Sequence, residues 1–143
     1  MTTIAIASDH AGYEMKAQIA SWLAGAGYEV LDLGCNGPES VDYPDFATAL
    51  AGAINDERAA RGVLICGSGI GISIAANRHP GIRAALVHDV TTARLARQHN
   101  DANVVALGAR IIGAEIAKDC VDAFLTTDFE GGERHSRRIA KMG

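Results

Sequence analysis

Short apolar runs alternate with longer amphipathic stretches along the whole chain. Ile4–Ser8, Glu29–Leu33, Val63–Cys66, Arg83–Val87 and Val104–Leu107 are β-branched or apolar and predict five strands. Helical periods follow them. One runs from Asp9-His10-Ala11-Gly12 to about Ala24, where Gly25 and Gly27 end it. Others run from Pro44 to about Arg58, from Ile70 to Asn77, from Thr91 to His99 and from Ala114 to Leu125. Arg134–Met142 predicts a last short helix, and Gly34–Val41 reads as a loop. Repeated β-α units imply a parallel sheet covered on both faces, hence a doubly wound α/β fold. Residues 1–143 read as one domain with no linker, low-complexity segment or internal repeat. Five strands suit the order 2-1-3-4-5, whose switch point lies between the first and third strands. Ligands bind beyond the carboxyl ends there, so Asp9-His10 and Cys66–Gly71 are expected to flank the crevice.

Composition narrows the class. The chain of 143 residues has few aromatics and a net charge of −4, so nothing global points to nucleic acid or membrane. The opening MTTIAIASDHAG lacks a basic region before an apolar stretch, and no apolar run approaches the roughly 18 residues of a membrane span. Cys35, Cys66 and Cys120 have neither CxxC nor Cys/His spacing, so neither a disulfide framework nor a zinc site is expected. Free thiols fit a reducing cytoplasm.

The stretch Cys66-Gly67-Ser68-Gly69-Ile70-Gly71-Ile72 joins a strand to a helix. Its glycines allow a tight turn and close approach to free amides. It is not a dinucleotide fingerprint of the usual spacing, because Ile72 stands where GxGxxG needs its third glycine, although Asp89 lies near the distance of a ribose-binding acid. A P-loop is excluded because no GKS or GKT is present. Three readings remain: close strand-helix packing, an anion site, or a catalytic turn. Cys66 favours the last, since a cysteine facing several amides at a helix start is a setting for a useful thiolate. Cys35, in a loop, and Cys120, in a helix, lack that setting and read as structural.

Asp9-His10 ends a strand where a core residue would be apolar. Asp9 can cap the next helix, or the pair can handle hydroxyl protons beside the cysteine. His99 closes a helix, where a histidine is favourable with the dipole. His79 and His88 read as surface or loop-end residues. The tail Arg134-His135-Ser136-Arg137-Arg138 is the dense basic cluster of an acidic chain. Arg134 and Arg138 share a helical face and suit either solvent or a phosphate. Without interleaved aromatics it is a poor nucleic-acid tail.

Taken together, SDHAG, DYPDFA, GVLICGSGIGISIAANR, ARQHNDANVVALGAR and the arginine-bearing tail resemble the ribose-5-phosphate isomerase B family, from residue 2 to about 142. That family also holds galactose-6-phosphate, allose-6-phosphate and related tetrose- and pentose-phosphate isomerases. The resemblance implies a Rossmann-like fold, a homodimer or homotetramer, and metal-free, cofactor-free interconversion of an aldose phosphate and a ketose phosphate. It implies that Cys66 moves the proton between C1 and C2. The amides of Gly67, Ser68, Gly69, Ile70 and Gly71 would stabilise the enediolate, at on the order of 3 kcal/mol per donor. Ser68 would shuttle the hydroxyl proton, and His99, helped by Asp9, would open the sugar ring. Asn100 would hold sugar hydroxyls and Tyr43 would line the site. His10, Arg134 and Arg138 would bind phosphate, with Arg110 reaching in from a partner subunit. One branch of the family has a glutamate base at the position of Ile72, so this chain resembles the cysteine branch. Ser68 replaces a threonine found in some members. Glu133 is an extra residue before Arg134, which leaves the choice between Arg137 and Arg138 open.

Overall fold

The computed structural model describes residues 1–143. The strands are β1 (Thr3–Ser8), β2 (Glu29–Asp32), β3 (Arg61–Cys66), β4 (Ala84–Leu86) and β5 (Val104–Gly108). The helices are α1 (Tyr13–Gly25), α2 (Tyr43–Asn55), α3 (Ile70–Ala76), α4 (Val90–Asn100), α5 (Ala114–Thr126) and α6 (Glu133–Met142). All strand pairs are parallel. No helix is long and apolar enough to cross a membrane.

Strand periodicity sorts side chains between two cores. Ile4, Ile6, Val63, Ile65, Val105 and Leu107 pack with α1, α4 and α5 residues such as Ile19, Ala93, Ala96, Val121 and Phe124. Ala5, Ala7, Leu64, Cys66, Val104 and Ala106 face the other way, onto Ala47, Leu50 and Ala51 of α2 and Ile72 and Ala76 of α3. Both faces are apolar because both are covered.

The sheet order is β2-β1-β3-β5-β4. The α/β class is as expected, but the last two strands exchange places relative to 2-1-3-4-5. Burial explains the exchange. All five residues of β5 are buried, whereas β4 is three residues long and leaves Leu86 37% exposed. A short strand is the one that suits an edge. Handedness agrees: reversing the direction of travel across the sheet moves a right-handed crossover to the opposite face. The connection from β4 to β5 turns back, and α4 accordingly packs in the same core as α1. The exchange also sets Cys66 beside Gly108 in register, so the segment after β5 enters the crevice.

Candidate active site

Cys66 is the last residue of β3 and only 4% exposed. Its Sγ accepts a hydrogen bond from the Gly69 amide at 3.2 Å. Gly69 has φ +78°, and a Cβ there would lie 2.7 Å from Leu86 Cδ1 and 2.8 Å from the Leu107 carbonyl carbon. Conformation and space both require glycine. The Ser68 hydroxyl accepts from the Ile70 amide at 3.1 Å, where α3 starts. Two of the five amides expected to serve an enediolate, those of Gly69 and Ile70, are therefore engaged within the turn.

Beside the turn lies a cleft of about 630 Å³ lined by Asp9, His10, Tyr43 and Arg110, together with Asp42 and Asp45. Asp9 is buried and its Oδ1 accepts from the Gly12 amide at 3.1 Å, capping a single 3-10 turn, His10–Gly12. His10 Nδ1 accepts from the Val41 amide at 3.1 Å, which ties the loop before α2 to β1 and leaves Nε2 as a donor. Tyr43 is the first residue of α2, and its phenol rests against Gly71. Arg110 differs from expectation, because its own chain already places it in the cleft. Its amide donates to the Gly67 carbonyl at 2.9 Å, and a Cβ on Gly67 would meet its guanidinium at 3.4–3.5 Å. The cause is the position of β5 directly beside β3.

His99 and Asn100 are elsewhere. They end α4, which returns antiparallel to the strands, so they lie at the amino edge of the sheet. Arg83, just before β4, donates from Nε to the Asn100 carbonyl at 3.0 Å. Cys66 lies at the carboxyl edge. The six residues of β3 alone span roughly 17–20 Å, so in one chain His99 is remote from both Cys66 and Asp9.

At that far edge His99 stacks on His135 of α6, with ring centroids 4.6 Å apart and planes 11° from parallel. Arg134 Nη2 lies 3.3 Å from His135 Nε2, and Glu130 Oε2 lies 3.6 Å from the same nitrogen. Burial, then Arg134 and His99, hold His135 below its ordinary value. The extra Glu133 becomes the first residue of α6 and pairs with Arg137 at 3.6 Å, one turn on. Arg138 stays on the face of Arg134. Neither Glu130 nor His135 was singled out from the sequence. His99 and His135 meet only because α6 packs on α4, and no local spacing records that.

His99, Glu130 and His135 offer ligand atoms within 4.8 Å of one another. The Arg134 guanidinium sits against the same His135 nitrogen, placing a fixed positive charge where a cation would bind. The trio therefore reads as a packed polar cluster built on ring stacking and not as a metal centre. Other candidates resolve into structural roles. Asp89 caps α4, accepting from the Thr92 amide at 2.6 Å and from its hydroxyl, and these bonds hold its carboxyl below the usual range. His88 Nε2 accepts from the Gly108 amide, and His79 contacts Thr48. Cys35 donates to the Gly37 carbonyl. Cys120 is fully buried, and burial pushes its thiol up to about 11.

The sequence profile of the Ribose/Galactose Isomerase family matches residues 4–142. Ribose-5-phosphate isomerase B of Escherichia coli (strain K12) is 46% identical over 139 residues, covering 97% of this chain and 93% of that one. The D-erythrulose-4-phosphate isomerase of Pectobacterium atrosepticum is 47% identical over 144 residues, covering 100% and 94%. The solved structure of Clostridium thermocellum ribose-5-phosphate isomerase B superposes with a TM-score of 0.98 at 51% identity, covering 99% of this chain and 95% of that one. With the cysteine turn and its cleft in place, and with likeness along the full chain, this protein belongs to the ribose/galactose isomerase family.

Proposed function

We propose that the chain interconverts ribose 5-phosphate and ribulose 5-phosphate through an enediolate. Cys66 carries this reading: it is a single thiol at the mouth of a glycine turn, beside a cleft that offers a carboxylate, an imidazole, a phenol and a guanidinium. As thiolate, Cys66 Sγ takes the proton from C2 of the open-chain aldose and returns it to C1. The negative charge that develops on O1 lies toward the turn amides, the arrangement that lowers such barriers. The proton on the O2 hydroxyl moves to O1 by way of Ser68, so the net change is two proton shifts with no external oxidant. Tyr43 closes one wall. His10 Nε2 and Arg110 face the phosphate end.

Ring opening and the remaining phosphate contacts require His99, Asn100, Arg134 and Arg138, which lie at the far edge of the same chain. A second copy supplies them in a symmetric dimer, where each crevice meets the far edge of the other chain. Asp9 of one chain then assists His99 of the other. Support comes from exposed apolar side chains on α3 and just after β5, since Ile70, Ile74 and Ile111 are 51%, 60% and 58% exposed. The three free thiols fit a reducing compartment such as the cytoplasm.

The test is turnover on phosphorylated aldoses and ketoses of four to six carbons, compared by kcat/KM. The highest value is expected for the five-carbon pair. A higher value for a four- or six-carbon pair would keep the chemistry and change the substrate, and no turnover on any of them would remove the proposal.

A further inference from the structure

The mechanism above leaves His135 unused, although it is 9% exposed and touches two groups that the reaction needs. One face of its ring covers His99 in a near-parallel stack at 4.6 Å. Its edge nitrogen meets Arg134 at 3.3 Å. We propose that His135 is a positioning residue: its ring face fixes the His99 imidazole, and its Nε2 accepts a hydrogen bond that aims Arg134. This rests on the isomerase reading, because it gives His99 and Arg134 their tasks.

The geometry determines the tautomer. An imidazole nitrogen either carries a proton or offers a lone pair, never both. Nε2 has two neighbours, the Arg134 donor at 3.3 Å and the Glu130 acceptor at 3.6 Å. Only the first is within hydrogen-bond reach. Arginine can only donate, so Nε2 accepts and the proton sits on Nδ1. The groups around the ring favour this neutral form. Arg134 and Arg138 are cationic, His99 stacks on the ring, and Glu130 alone opposes them. A flexible guanidinium otherwise samples many rotamers, and holding one lowers the entropy lost when phosphate binds. A stacked ring likewise limits His99 to one plane.

Two substitutions separate the two contacts. His135→Phe keeps a ring against His99 and removes the acceptor. His135→Gln keeps an acceptor and removes the ring. On the preferred sugar phosphate, His135→Phe is expected to raise KM about tenfold with kcat near the parent value. His135→Gln is expected to lower kcat about tenfold, each a coupling of ordinary size. In a His99→Asn background, His135→Gln should cost nothing further in kcat. In an Arg134→Ala background, His135→Phe should leave KM unchanged. Penalties that add fully in these double variants would overturn the inference, as would a fall in melting temperature with unchanged kinetics.

A second measurement does not depend on turnover. Nitrogen-15 NMR of the parent imidazoles should find His135 protonated on Nδ1, with its Nε2 signal moving in Arg134→Ala. An Nε2–H tautomer overturns the positioning of Arg134 whatever the activity. The expected tautomer in a chain that isomerises no sugar phosphate would remove the isomerase reading while leaving the contact to Arg134 in place.

Discussion

The Tyr43 phenol occupies the space that a side chain on Gly71 would take: a Cβ there would stand 2.5 Å from Cζ and 2.7 Å from the hydroxyl oxygen. No rotamer of a neighbouring group relieves a contact so short without moving the ring. Gly71→Ala is therefore expected to displace Tyr43 from the cleft wall. Steady-state kinetics should find KM raised about tenfold, the scale of a mispositioned binding group. Adding Tyr43→Ala should bring little further loss, and two independent penalties would disconnect the residues.

Cys66→Ala removes the proposed base and little else, since the thiol's one recorded hydrogen bond is the weak contact from the Gly69 amide. The variant should melt within a few degrees of the parent and still bind the substrate. Its kcat should fall by roughly a thousandfold or more, the scale of losing a group that acts on the reacting atoms. Parent-rate turnover by the purified variant would exclude Cys66 as the base.

The separation of Cys66 from His99 predicts complementation. Cys66→Ala and His99→Asn are each expected to be nearly inactive alone. If the two are mixed, unfolded and refolded together, half of the dimers carry one chain of each kind, and each of these holds one intact site. Activity should then return to about a quarter of the parent value for a two-fold symmetric pair. No recovery, with mixed dimers demonstrated by mass spectrometry, would place the whole site within one chain.

His135 gives the fold a pH dependence of known sign. Its folded-state value is held below the ordinary 6.5. As pH falls through that range the unfolded chain takes up the proton first, so stability present above it is lost toward acid. The parent melting temperature should drop more steeply between about pH 7.5 and 5.5 than that of His135→Phe. Parallel slopes would mean that His135 titrates alike in both states.

Much of this was legible because periodicity and turn chemistry are local. Ile4–Ser8 and Val63–Cys66 announce strands buried on both sides. Ile72 distinguishes the turn from a dinucleotide loop, and Arg134 and Arg138 share a face by spacing alone. The order of β4 and β5 was not legible, because it depends on which of two short apolar runs is buried deeper, and Ala84–Leu86 does not advertise its edge position. The stacking of His99 on His135 was hidden for a related reason: it depends on α6 lying across α4. The resemblance places Arg110 in a partner chain, whereas the pairing of β5 with β3 brings it into the cleft of its own chain.

The direction of α4 has one more consequence. On the proposed arrangement each chain carries a proton-transfer half at one edge and a ring-opening half at the other, and neither half works on its own. After a gene duplication, one copy could lose Cys66 and the other His99 without loss of the pathway step, provided the two products still assembled together. Obligate mixed enzymes are thus one mutation per copy away, and once both losses occur neither copy works without the other unless its own missing residue is restored.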